Sequence, residues 1–140
     1  MTERRRVQRV STYGVARDGD AVLMVRIATF GGGDAGRWML PGGGLEHGEP
    51  PEAAVVRELA EETGYRVQVE RLLEVGSDHR VLADGTDFHG VYVVYAVTVV
   101  GGDLRAEEDG STDGVRWMSR AELDEVSVLN AFRGVLDRWL

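Results

Sequence analysis

The chain contains no cysteine, which excludes disulfides and thiolate zinc sites and makes a reducing compartment the expected setting. No apolar run approaches the roughly 20 residues that a membrane helix needs. Arg4-Arg5-Arg6 is basic, but the following Val-Gln-Arg-Val-Ser-Thr-Tyr lacks the apolar core of a secretory signal. A cytoplasmic protein with no membrane partner is therefore expected. Positive charge is also in deficit. The formal charge of -8 argues against the basic stripe of a binder of nucleic-acid polymers. A small anionic substrate stays compatible with that charge, provided metal ions or a few placed arginines neutralise it locally.

What is present is enough for one domain spanning residues 1–140. The chain is 43% apolar, and a domain of this size buries roughly two-thirds of its unfolded surface. Val7–Ala16 and Ala21–Thr29 read as strands joined by the turn signal Asp18-Gly19-Asp20. The glycine run from Gly31 to Gly36 reads as a mobile connection, since no helix pattern follows it. Trp38-Met39-Leu40 is a short apolar piece. Further strands are expected at Val67–Val75, Val91–Val100 and Val115–Met118, with Ser77–Gly90 and Gly101–Gly114 as loops. Ser119 with Glu122 three residues on forms a helix-capping signal, and Val128 to Trp139 is helically periodic. Mixed strands and two helical regions predict an α+β or α/β layered domain.

The segment from Gly43 to Tyr65 carries the most chemistry. Pro51 suits a first helical position, Glu52 favours the positive end of the helix dipole, and Gly64 suits the stop. At about 100° per residue, Ala53, Val56, Leu59 and Ala60 share an apolar arc, and Glu58, Glu61 and Glu62 share another side. Clustered carboxylates repel unless a positive charge sits between them, and hard oxygens suit a divalent cation such as Mg²⁺. A merely solvated acidic face would alternate with lysines, and this helix has none. Arg57 stands four residues before Glu61, the spacing of a helical ion pair.

Gly43, Glu49 and Arg57-Glu58-Leu59-Ala60-Glu61-Glu62-Thr63-Gly64-Tyr65 resemble a complete Nudix box over 23 residues. Tyr65 stands where the strictest pattern has an aliphatic residue. Trp38-Met39-Leu40-Pro41-Gly42-Gly43 and Val115-Arg116-Trp117 also look like the family. The resemblance implies an α/β/α sandwich around a central mixed sheet. It implies hydrolysis of a nucleoside diphosphate linked to another moiety, with Mg²⁺ or Mn²⁺ as cofactor. By resemblance, Glu58, Glu61 and Glu62 are the metal ligands, with the Gly42 carbonyl completing the shell and Arg57 orienting Glu49 and Glu61; one of the three glutamates, or a loop acid, takes the proton from the attacking water.

A pyrophosphate is itself anionic, so an acidic site holds it only through cations, which also lower the pKa of a bound water. Arg26 and Arg37 flank the loop before the box and are candidate phosphate contacts. Glu107, Glu108, Asp109 and Asp113 precede Trp117, and an extra base or ligand is expected from Glu107 or Glu108, whose side chains reach further. His47, His79 and His89 lack a repeated ligand spacing, which favours surface or substrate-facing roles. The alternatives are a nucleotide sensor of the same family that does not hydrolyse, and a Mg²⁺ phosphatase of another fold. The sensor is disfavoured because every box acid is kept. No proline follows Pro51 and no tyrosine lies between Tyr65 and Tyr92, which leaves a nucleoside triphosphate ahead of ADP-ribose or dinucleoside polyphosphates. A homodimer is compatible with the chain.

Overall fold

The first strand organises the molecule. In the computed structural model, which describes residues 4–28 and 33–140, β1 (Arg6–Asp18) touches three other strands along its length. At its end it turns through Gly19 and Asp20 into antiparallel β2 (Ala21–Ile27), with Asp18 opposite Ala21. Gly19 has φ 61°, the left-handed geometry this two-residue turn requires. The strand signal therefore holds on both sides of the turn. Thr29, Gly31 and Gly32 of the expected strand end and glycine loop lie outside the described residues.

Two short strands follow, β3 (Trp38–Met39) on β2 and β4 (Gly42–Gly44) on β1. After helix α1 (Pro51–Thr63) come β5 (Tyr65–Val81), β6 (Asp87–Gly102) and β7 (Thr112–Met118). Helices α2 (Arg120–Glu125) and α3 (Asn130–Trp139) close the chain. The sheet order is β3-β2-β1-β6-β5, with β4 also on β1 and β7 also on β2. The β1–β6 pairing is parallel and the other pairings are antiparallel, so the sheet is mixed.

The period of two along the strands divides the core. Val15, Met24 and Val94 pack toward α2 and α3, together with Leu123, Phe132 and Val135. Their neighbours Ala16, Leu23 and Tyr95 pack on the opposite face against Val55 and Leu59 of α1. Helices thus cover both faces of the sheet, the expected three-layer arrangement. A fully buried leucine such as Leu59 contributes about 1.5–3 kcal/mol.

The expected loop at Ser77–Gly90 is instead the far half of a long hairpin. β5 and β6 pair to the Val81–Asp87 step, and Asp84 accepts a bond from the Thr86 N–H at the turn. This stretch carries no apolar alternation because exposure, not core contact, surrounds much of it. Polar cross-strand contacts hold it instead: His79 bonds Asp87 at 2.5 Å, and the Arg80 guanidinium lies 5.6 Å from the Phe88 ring centroid. Ser119 caps α2 as expected, accepting from the Glu122 N–H while Glu122 accepts from the Ser119 N–H.

Candidate active site

α1 begins on Pro51 and ends at Gly64, which adopts φ 78° and donates its N–H to Ala60. The buried face differs from the expected arc of Ala53, Val56, Leu59 and Ala60. Ala54, Val55, Leu59, Glu62 and Thr63 are buried, while Ala53 and Ala60 are exposed. The physical reason is that β1 and β4 meet the helix about one residue around from the arc of greatest apolarity. A glutamate is thereby carried into the core-facing stripe.

The three glutamates consequently occupy three environments. Glu61 is exposed, Glu58 is half-buried, and Glu62 is 1% exposed. One oxygen of Glu62 accepts the Gly42 N–H at 3.0 Å, and its other oxygen is buried with no partner. Burial drives the Glu62 carboxyl well above its ordinary range, and the Glu58 charge adds to the effect. Glu58 is raised as well, first by burial and then by Glu61, against the pull of Arg57. Both carboxyls are thus pushed upward, Glu62 the further of the two.

Arg57 gathers the remaining acids. Its guanidinium grips Glu49 through two bonds of 2.9 Å, reaches Glu58 at 3.1 Å and Glu61 at 3.3 Å, and donates to the Gly44 carbonyl at 3.2 Å. Glu49 also accepts the Glu46 N–H at 3.0 Å, and these bonds lower its carboxyl to about 2. One side chain therefore ties the loop after β4 to the acidic turn of α1. The glycines of β4 make room for this packing. A Cβ on Gly43 would lie 2.7–2.9 Å from the Glu58 carboxylate group, and Gly44 similarly faces the Arg9 guanidinium.

Of these acids, Glu62 lines a cleft of about 790 Å³ between the sheet and α3, together with Tyr13, Gly42, Tyr92 and Phe132 among others. Among the described residues, no three acidic or histidine side chains stand close enough together, as placed, to hold a metal ion. Glu58 and Glu61 face Arg57, whereas Glu62 faces Gly42. The donor chemistry nevertheless fits a hard cation, because the unpartnered oxygen belongs to a buried carboxyl on which the Glu58 and Glu107 charges act.

Arg37 lines the cleft and holds Asp34, Ser127 and the Val128 carbonyl. Arg26 pairs with Asp113 at 2.8 Å and lies 5.7 Å from the Trp38 ring centroid. That pairing engages one of the four loop acids. Glu107 is the loop acid whose charge acts on Glu62, and Thr112 donates to it at 3.3 Å. His79 and His89 stand on the distal hairpin, where His89 bonds Gln8. Sequence reasoning overlooked Thr12, a fully buried residue with an unpartnered hydroxyl. Its even-numbered place in the β1 alternation was the available signal.

Comparison with known proteins places the sequence and the fold. The NUDIX domain profile matches residues 5–140. Nucleoside triphosphatase NudI of Enterobacter is 29% identical over 90% of this chain and 92% of its own. A putative 8-oxo-dGTP diphosphatase 2 of Mycobacterium tuberculosis is 39% identical over 71% of this chain and 66% of its own. The chain thus spans just under two thirds of that second relative. The crystal structure of a MutT NUDIX hydrolase from Burkholderia pseudomallei superposes with a TM-score of 0.75, at 27% identity, covering 96% of this chain and 99% of that one. With the family profile spanning nearly the whole sequence and the same fold around the box, the chain belongs to the Nudix family, hydrolases of pyrophosphate bonds.

Proposed function

We propose that the chain is a single-domain, divalent-metal-dependent pyrophosphohydrolase that cleaves a nucleoside triphosphate by water attack on phosphorus. The observation that carries this reading is the buried, half-satisfied Glu62 carboxylate beside Glu58 at the border of the cleft. Glu58, Glu61, Glu62 and the Gly42 carbonyl would hold Mg²⁺ or Mn²⁺. The bound cation supplies charge neutralisation for the phosphates and acidifies a water. Arg57 holds Glu58 and Glu61 in position through its own grip on Glu49. Glu107, adjacent in charge to Glu62, is suited to take a proton from the attacking water.

Arg37 reaches the cleft directly, while Arg26 pairs with Asp113 outside its lining. Every cation available to phosphate is an arginine, since the chain contains no lysine. The names of two relatives, a nucleoside triphosphatase and a putative 8-oxo-dGTP diphosphatase, support a nucleoside triphosphate substrate. The partner is then a small nucleotide, with neither a nucleic-acid polymer nor a membrane required. No described helix is long and apolar enough to cross a membrane.

The test is a substrate screen with Mg²⁺, covering nucleoside triphosphates, ADP-ribose, dinucleoside polyphosphates and nucleotide-sugars. Release of a mononucleotide and pyrophosphate from a triphosphate, abolished by EDTA, is expected. Tight nucleotide binding without turnover under any divalent metal would overturn the reading in favour of a sensor.

A further inference from the structure

Among the described residues, two buried side-chain polar atoms have no hydrogen-bond partner: Thr12 Oγ1 and Glu62 Oε2. Buried polar groups are nearly always satisfied, so an orphan calls for an explanation such as a bound water or ion. Both orphans lie in one corner of the fold. Even-numbered residues of β1 face α1: a Cβ on Gly14 would touch Leu59, and Ala16 packs with Val55 and Leu59. Thr12 continues that row. Its cross-strand partner is Gly43, whose own Cβ position is filled by the Glu58 carboxylate group. Directly opposed residues place their Cβ positions about 4.5–5.5 Å apart on one face. The adjacent Gly42 donates its N–H to Glu62. Thr12 therefore sits on the face of β1 and β4 against which the Glu58 carboxylate packs, fully buried, with a hydroxyl that no described group uses.

We propose that Thr12 is a positioning residue for the acid site. Its hydroxyl and the free Glu62 oxygen hold one ordered water between them, and that water keeps Glu62 aimed at the divalent cation. A hydroxyl donates to the water oxygen while the water donates to carboxylates. Thr12, Glu62 and Glu58 supply the two to four polar partners that a buried water needs. A valine here would fill the same volume without an orphaned group, so packing alone gives no reason for threonine.

This inference rests on the metal-dependent reading above, and its test separates the two. Mn²⁺ binding to the metal-free full chain is followed by loss of the free-ion paramagnetic signal, with thermal unfolding in EDTA as a second readout. Thr12→Val is expected to weaken Mn²⁺ binding roughly tenfold or more, the range for losing an outer-shell partner. Its metal-free melting temperature should equal or exceed wild type, and Thr12→Ser should restore binding. Thr12→Ala removes the hydroxyl without the added methyl and should weaken binding similarly. Wild-type Mn²⁺ affinity in the Val and Ala variants overturns the inference and leaves the hydrolase reading standing. Weakened binding with a lowered melting temperature that serine fails to rescue also overturns it, since that pattern belongs to packing. A wild-type chain that binds no Mn²⁺ overturns the metal reading together with this inference.

Discussion

Arg57 and Glu49 form a two-pronged pair, with Nε and Nη2 each 2.9 Å from a different carboxylate oxygen. Such a fork resists rotation in a way that a single contact does not. The third guanidinium nitrogen is thereby aimed at Glu58 and Glu61. Glu49→Gln should keep the fold but loosen that aim, lowering Mn²⁺ affinity and kcat by about 10–100-fold. Arg57→Lys should behave similarly, because an ammonium cannot reproduce the fork. Titration of Mn²⁺ alongside steady-state rates checks the expectation, and unchanged affinity in both variants would refute it.

Glu62 sets function against stability. Glu62→Gln replaces a buried acid by a neutral side chain of the same shape, which can still accept from Gly42. The metal-free variant should melt higher than wild type by an amount corresponding to about 1–3 kcal/mol. Its turnover should fall by on the order of 10²–10⁴. Unfolding in EDTA and rates in saturating Mg²⁺ measure the two halves separately.

The acids also dictate a pH profile for the metal-free protein. Glu49 is lowered from 4.5 to about 2, so its stabilising contribution is present above 4.5 and lost as pH falls from there toward 2. Glu58 and Glu62 are raised above 4.5, so theirs is present below 4.5 and lost as pH climbs through their folded-state values. Melting temperature in EDTA should therefore fall on the acidic side and again on the alkaline side. Mg²⁺ should cancel only the loss at rising pH, and Glu49→Gln should reduce only the acidic one, to which Glu74, Asp84 and Glu122 also contribute. A melting curve in EDTA that shows no alkaline decline would contradict the buried-acid account.

Two adjacent glycines should fail differently when substituted by alanine. Gly43→Ala places a methyl 2.7–2.9 Å from the Glu58 carboxylate group, a side chain able to move. Activity should drop while melting shifts little. Gly42→Ala meets the Thr12 carbonyl and the Tyr13 backbone at φ 152°, where nothing can yield. That variant should lose about 3 kcal/mol or more and express poorly, the scale of backbone strain combined with overpacking. Parallel melting and activity measurements distinguish the two.

Beyond the part of α3 that lines the cleft, Glu74 on β5 receives Arg138 at 2.9 Å through two nitrogens and Trp139 at 2.7 Å. Glu74→Ala should release the end of α3, raising KM more than it lowers kcat. A change confined to kcat would show that α3 does not shape the substrate side.

Much of this was legible from local sequence. Pro51 and Gly64 bracket α1 as expected, and Ser119 with Glu122 announces α2, because caps depend on a few neighbouring residues. The acids of the box were identifiable for the same reason. Less accessible was the burial of Glu62, since which side of a helix faces inward is decided by the strands it meets. The polar end of the β5–β6 hairpin was hidden because its pairing is stabilised by charges and rings, not by alternating apolar residues. The parallel register of Thr12 with Val93, and the action of Glu107 on Glu62, join residues far apart in the chain. No local pattern encodes such encounters.

The short stretch 37–44 serves both walls of the cleft at once. Arg37 bonds Ser127 and the Val128 carbonyl, and Trp38 pairs with Ser127 and Leu129 just before α3 begins. A few residues later, Pro41 accepts the Gly14 N–H and Gly42 donates to Glu62. The acids and the helix opposite them are thus referenced to one common ruler. On the proposed reading, in which the cleft takes a nucleotide, exchanges at Ala131, Phe132 or Val135 alter its fit while stretch 37–44 keeps the acids in register, so selectivity and chemistry run on separate evolutionary clocks.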